Sequence, residues 1–168
     1  MSFLDFKPVV ILGDYVARPI DWVQYRFFSD KYGALVFPSD PAGYVPAEPY
    51  ESVYSLCLGI YCGEQLAGWQ YSHAQEGGIL MRDTGLLPEH QGRGVYSAFL
   101  PHLLTHFAKS GFALVVSRHR FQNNAAIIPK LKAGFVIVGT EIEAGVSYVK
   151  LARSSGSAKL PSGNNGRM

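Results

Sequence analysis

A glycine-bearing turn, Gln91-Gly92-Arg93-Gly94, separates an apolar run ended by Pro88 from a long amphipathic stretch, Val95 to Lys109. Strand, glycine turn and helix in direct succession point to an α/β arrangement. Glycine at such a turn lets the backbone approach a ligand closely. The helix start offers N–H groups without intrahelical partners, at the positive end of the helix dipole. Together these make a cradle for phosphate, to which Arg93 can add a charge-assisted contact. The pattern GxxxxGK[ST] is absent, and GxGxxG fails because Ser97 stands at the third glycine position. The kinase signature set is missing as well.

The rest of the chain alternates strand and helix signals. Val9–Leu12 reads as a strand, and Pro19-Ile20-Asp21 opens a helix through about Tyr32, closed by Gly33. Its aromatic face carries Trp22, Tyr25 and Phe27 or Phe28. Residues 34–50, with Pro38, Pro41, Pro46 and Pro49, read as a long loop of the kind that forms lids. Three strands then follow in a meander, Ser52–Tyr61, Gln65–Ala74 and Ile79–Leu87, with turns at Cys62-Gly63-Glu64 and at 75–78. After the helix over Val95–Lys109, closed by Gly111, Phe112–Ser117 is a continuous apolar strand of the type buried on both faces. A helix runs from Asn123 or Asn124 to Ala133, closed by Gly134, and Phe135–Ile142 and Val146–Leu151 form a last pair of strands. Pro101 and Pro129 fall inside helices, where kinks are expected. Residues 1–152 make one domain, and 153–168, rich in Ser and Gly, read as a flexible tail.

Composition narrows the class. The 168 residues are about one domain's worth, and 48% hydrophobic against 17% charged residues excludes disorder for the bulk of them. No apolar run reaches the ~18 residues that would span a bilayer, so no membrane partner is expected. The first residues lack the basic and apolar regions of a secretion signal. The two cysteines, Cys57 and Cys62, make no disulfide framework, so a cytoplasmic location is expected. They sit five apart and should face opposite sides of a strand, unpaired. Charge is uneven: residues 1–92 carry 5 basic and 11 acidic side chains, and residues 93–168 carry 10 and 2. The basic half suits a polyanionic ligand, whereas nucleic acid would call for a denser basic stripe.

Residues Leu86-Leu87-Pro88-Glu89-His90-Gln91-Gly92-Arg93-Gly94-Val95 resemble the pyrophosphate loop of the GNAT superfamily of acyl-CoA-dependent N-acetyltransferases, Q/R-x-x-G-x-G/A. Gln91 and Gly94 match, and Tyr96 stands where Gly or Ala is usual. Asn123-x-x-Ala126, followed by Gly134-Phe135, resembles that family's second motif. The likeness runs from about Leu56 to Leu151. It implies a GNAT-like α/β fold: a mixed central sheet with an antiparallel N-terminal meander, splayed between the strands near Leu86 and Val115 (the fourth and fifth in this reading) and flanked by helices. It implies acetyl-CoA as co-substrate, with Leu86 and Leu87 holding the thioester and pantetheine by backbone bonds. Gln91, Gly92, Arg93, Gly94, Val95 and Tyr96 would form the pyrophosphate cradle, and Asn123 and Ala126 would lie along the arm. It also admits a homodimer through the late strands.

Direct transfer needs a neutral amine and a protonated leaving thiolate. The family's usual tyrosine acid corresponds here to Lys130, a possible proton donor or a surface lysine, with Tyr96 and Tyr148 as other donors. Asp83, three residues before Leu86, is the candidate base, or else a partner for Arg82. His119 and His73 titrate near neutrality, the first as a catalytic and the second as an acceptor-binding candidate. Phe37, Tyr44 and Tyr50 make the 34–50 loop an acceptor lid. Of Glu141 and Glu143, one is expected to face the cleft. His102 and His106 share a helix face but lack the HExxH glutamate and a third ligand, so no metal is expected. The expected function is acetyl transfer from acetyl-CoA to an amine on a small molecule or peptide. The alternatives are a non-catalytic acyl-CoA sensor and an acetylase of RNA-linked or protein amines.

Overall fold

The computed structural model describes residues 5–37 and 54–155. Eight strands, β1 (Val9–Leu12), β2 (Tyr15–Pro19), β3 (Ser55–Cys62), β4 (Gln65–Gln75), β5 (Gly78–Leu86), β6 (Leu114–Arg120), β7 (Val136–Glu143) and β8 (Val146–Ser154), form one sheet in the order β1-β2-β3-β4-β5-β6-β8-β7. Every neighbouring pair is antiparallel except β5 and β6, which are parallel. Three helices, α1 (Trp22–Val36), α2 (Val95–Lys109) and α3 (Asn124–Lys132), cover the two faces.

Each face has its own core. Alternation along the strands sends Leu58, Ile60, Ile79, Val115 and Leu151 to one side, where Phe99, Leu100, Leu103 and Phe107 of α2 and Ile127 of α3 meet them. On the other side Trp69, Tyr71 and Leu87 pack with Tyr25 of α1, joined by Trp22, Phe28, Val36 and Phe37. Cys57 lies in this second core and Cys62 against the first, and both are free thiols, as their odd spacing requires.

The parallel pairing of β5 with β6 covers Ile79–Val115, Leu80–Val116 and Met81–Ser117 and goes no further. Beyond Met81, β5 is paired with β4 alone; beyond Ser117, β6 is paired with β8 alone. A bulge sits at the divergence, for Met81 opposes Ser72 and Asp83 opposes Tyr71, leaving Arg82 as the extra residue. A bulge bends its strand and adds twist, which turns β5 away from β6. The expected splayed mixed sheet is therefore present.

Four points need correction. β2 fills a stretch to which the sequence reading assigns no element: Gly13, with φ of 53°, and Asp14 turn the chain tightly so that Tyr15–Pro19 pairs with both β1 and β3. The first helix does not stop at Gly33. It continues to Val36, whose side chain lies against Gly85 so closely that a Cβ there would come within 2.9 Å of Val36 Cγ1. β6 continues past Ser117 through Arg120, and its second face is only half-covered among the described residues. β8 runs to Ser154, and Ser155 N–H bonds the Ala113 carbonyl, so residues expected in the tail belong to the sheet. The lid residues Tyr44 and Tyr50 lie outside the described residues, as does the segment 156–168. Pro101 and Pro129 sit inside helices that are continuous across them. No helix among the described residues is long and apolar enough to cross a membrane.

Candidate functional site

β5 ends at Leu86, and a short 3-10 turn, Pro88–His90, carries the chain into the glycine turn and α2. Gly92 and Gly94 hold φ of 70° and 78°, a left-handed backbone that side chains with a Cβ disfavour. Nothing lies within 4 Å of a Cβ built at either position, so conformation rather than crowding requires glycine there. Gly94 is the N-cap of α2 and supplies no side-chain cap. The first amides of that helix are therefore left to an outside acceptor.

The turn is fastened from three sides. His90 N–H bonds the Leu87 carbonyl at 2.9 Å, and Gln91 Nε2 donates to the Leu86 carbonyl at 2.8 Å. The buried His90 ring meets the Tyr15 hydroxyl at Nδ1, 2.9 Å away, with the two rings edge to face. Sequence reading missed both His90 and Tyr15; the bond joins positions 75 residues apart.

Leu86 and Leu87 differ in what they offer. Leu87 N–H bonds the Ala67 carbonyl at 2.8 Å, so the expected ligand bond from that amide is corrected. Antiparallel pairing alternates its direction, so the backbone of Leu86 points the other way, into the split between β5 and β6. Gln91 already occupies its carbonyl, leaving the N–H. Tyr96, packed against the core under α2, has its Oη buried without a hydrogen-bond partner among the described residues. Burial also raises the Tyr96 phenol above its ordinary value, so the hydroxyl stays protonated at neutral pH. Asn123, the N-cap of α3, makes no side-chain cap bond, and it and Ala126 are half-buried. A long phosphorylated thioester fits this arrangement of open helix amides, strand N–H and split.

The titratable candidates fall into two sets on opposite faces of the sheet. On the α2–α3 face, Lys130 is 1% exposed, which overturns its reading as a surface lysine. Its Nζ lies 2.9 Å from His119 Nε2, and Ser117 Oγ is 3.2 Å from the same nitrogen. Burial lowers Lys130 to about 7. Burial, then the charge of Lys130, lowers His119 to about 2, so the imidazole is neutral. Ser117 escaped the sequence reading, although its i, i+2 relation to His119 on a strand put both on one face.

On the α1 face, Asp83 Oδ2 accepts from the Tyr25 hydroxyl at 2.7 Å and from Trp69 Nε1 at 3.0 Å. Asp83 is thus anchored by α1 and β4 through partners that sequence reading did not give it. His73 shares this face; it is buried, its ring 5.7 Å from Tyr71, and desolvation first of all lowers its pKa. Phe37 caps α1 and joins the aromatic core. Farther along the sheet, Glu141 and Glu143 both reach Arg118 Nη1, at 2.6 and 2.7 Å. The expectation that one of them alone faces the cleft fails because residues two apart on a strand share a face. Tyr148 stacks under the Arg118 guanidinium, 4.2 Å from ring centroid to Cζ. His106 is bonded to the Tyr54 hydroxyl at 2.6 Å, and no group of three His, Cys, Asp or Glu side chains suited to a metal occurs among the described residues.

The chain matches no protein-family model and no curated protein sequence. Solved structures do match. An acetyl transferase from Salmonella typhimurium that modifies the N-terminal serine of ribosomal protein L7/L12 superposes with a TM-score of 0.68 at 20% identity, over 88% of this chain and 99% of that one. A ribosomal L7/L12 α-N-protein acetyltransferase in complex with coenzyme A gives 0.66 at 19%, over 88% and 98%. Nourseothricin acetyltransferase gives 0.63 at 17%, over 86% and 100%. With the split sheet and the glycine turn at its mouth, this chain has the fold of the GNAT acetyltransferases.

Proposed function

We propose that this protein transfers an acetyl group from acetyl-CoA to a primary amine. The observation that carries the proposal is the split between β5 and β6, opening beyond Met81 and Ser117 beside a helix N-terminus left uncapped by any side chain. Acetyl-CoA supplies an activated acyl group and a good leaving thiolate.

The chain's own residues take the remaining roles. The amides of Gly92, Arg93, Gly94, Val95 and Tyr96 hold the pyrophosphate, and the Arg93 guanidinium adds charge. Gln91 keeps the Leu86 carbonyl occupied, so Leu86 N–H is the donor toward the arm and the thioester carbonyl. Asn123 and Ala126 border the arm. Asp83, oriented by Tyr25 and Trp69, takes the proton of the acceptor ammonium, directly or through water. Lys130 returns a proton to the leaving thiolate, and the neutral imidazole of His119 accepts from its Nζ and holds it in place. With a pKa of about 7, Lys130 carries that proton on a substantial fraction of molecules at neutral pH. His73 and Phe37 border the acceptor.

The acceptors named for the similar structures, a ribosomal protein N-terminus and nourseothricin, bracket the choice here between a peptide amine and a small-molecule amine. The free thiols Cys57 and Cys62 suit a reducing cytoplasm.

Acetyl-CoA-dependent thiol release across a panel of polyamines, aminoglycosides, amino acids and peptides with free N-termini tests the proposal. Release above the acceptor-free rate with at least one class is expected. A flat panel, together with no thermal stabilisation by acetyl-CoA, would overturn it.

A further inference from the structure

A nucleophile of the chain lies buried beside the split. We propose that Lys130 is a self-acetylation site: without an acceptor amine, its Nζ takes the acetyl group of acetyl-CoA held in the split. The inference rests on the reading that the split binds acetyl-CoA.

Three observations support it. Lys130 sits on α3, against β6, with Nζ at His119, two residues beyond the point where β5 and β6 part. It is fully buried, yet no carboxylate among the described residues forms an ion pair with it. A buried ammonium without a counter-ion is disfavoured against the amine, in keeping with its lowered pKa. Finally, one Nζ–H engages the neutral His119 imidazole, which leaves the nitrogen lone pair for attack. A desolvated lysine of this kind is the activated form that amine nucleophiles take in enzymes.

The step balances without any other reagent. The Nζ–C bond forms as the thioester C–S bond breaks, and one Nζ proton passes to the departing thiolate sulfur. The products are an acetylated Lys130 amide and the free CoA thiol. A neutral amide replaces a group that burial keeps poorly charged, so the product fits the site's polarity. Acetylated Lys130 cannot offer a proton to a thiolate, and the modification therefore restrains the transfer reaction whenever acceptor is scarce.

The test is intact mass and peptide mapping of the full chain incubated with acetyl-CoA and no acceptor. One acetyl group per chain, on Lys130, is expected, at a rate per molecule independent of protein concentration. Lys130→Arg and Lys130→Met should carry none while keeping thermal stabilisation by acetyl-CoA. Stabilisation without modification of Lys130 would overturn the proposal, and so would acetyl groups spread over the exposed Lys31, Lys109 and Lys132. An absence of any stabilisation would instead remove the underlying reading of the split.

Discussion

The Tyr15 hydroxyl lies 2.9 Å from Nδ1 of His90, fastening the first hairpin of the chain to the turn that leads into the cradle. Both side chains are buried. Tyr15→Phe leaves the imidazole nitrogen without this partner, which costs about 1–3 kcal/mol of stability. Looser fastening of the turn should also weaken acetyl-CoA binding by about 1 kcal/mol, close to fivefold in Kd. Urea unfolding and a binding titration read the two effects. A destabilised variant with unchanged Kd would show that the hairpin does not position the cradle.

Gly94→Val places a β-branched side chain at a φ of 78°, at about 1–2 kcal/mol of conformational cost. That corresponds to a fall in Tm of roughly 2–8 °C for a chain of this size. The same side chain stands over the α2 amides. Wild-type protein at a hundredfold excess of acetyl-CoA over Kd gains about 2.7 kcal/mol; the variant should gain much less by the same thermal-shift measurement. Equal gains would dissociate the glycine turn from cofactor binding.

Asp83→Asn keeps an oxygen that can accept from Tyr25 and Trp69, so the fold and acetyl-CoA stabilisation should survive. Loss of the carboxylate base should lower kcat by roughly 10²–10⁴-fold. Steady-state kinetics with any active acceptor decides it, and an unchanged kcat would move the base elsewhere.

Lys130 gives a pH signature. Its folded pKa of about 7 lies below its ordinary 10.5. Between these values the unfolded chain binds more protons than the folded one, so this group's contribution to stability rises with pH. It is complete above about 10.5 and lost as pH falls through 7. Lys130→Met should therefore be more stable than wild type near pH 7, with the difference shrinking toward pH 10. Through the same titration, kcat should fall on the alkaline side of about 7, a limb missing from the variant's residual activity. A pH-independent stability difference would mean that Lys130 keeps its ordinary pKa.

What the sequence made legible followed from local chemistry. Glycines at 94, 111 and 134 sit in left-handed backbone at the ends of their helices, and α2 spans the expected Val95–Lys109. What stayed hidden depended on distant partners. The end of α1 was set by Val36 meeting Gly85, and the anchoring of Asp83 by Tyr25, 58 positions earlier. Lys130 lies on a nine-residue helix in which Ile127 is the one other buried residue, so local periodicity could not place it inside. β2 was hidden because Arg18 and Pro19 obscure a short strand whose pairing with β3 crosses about forty residues of chain.

The seam of three residue pairs, Ile79–Met81 against Val115–Ser117, joins what are otherwise two half-sheets. A strand-like guest lying along Leu86 would take the place of the absent rungs, so occupancy should stiffen the molecule across its whole width rather than at one pocket.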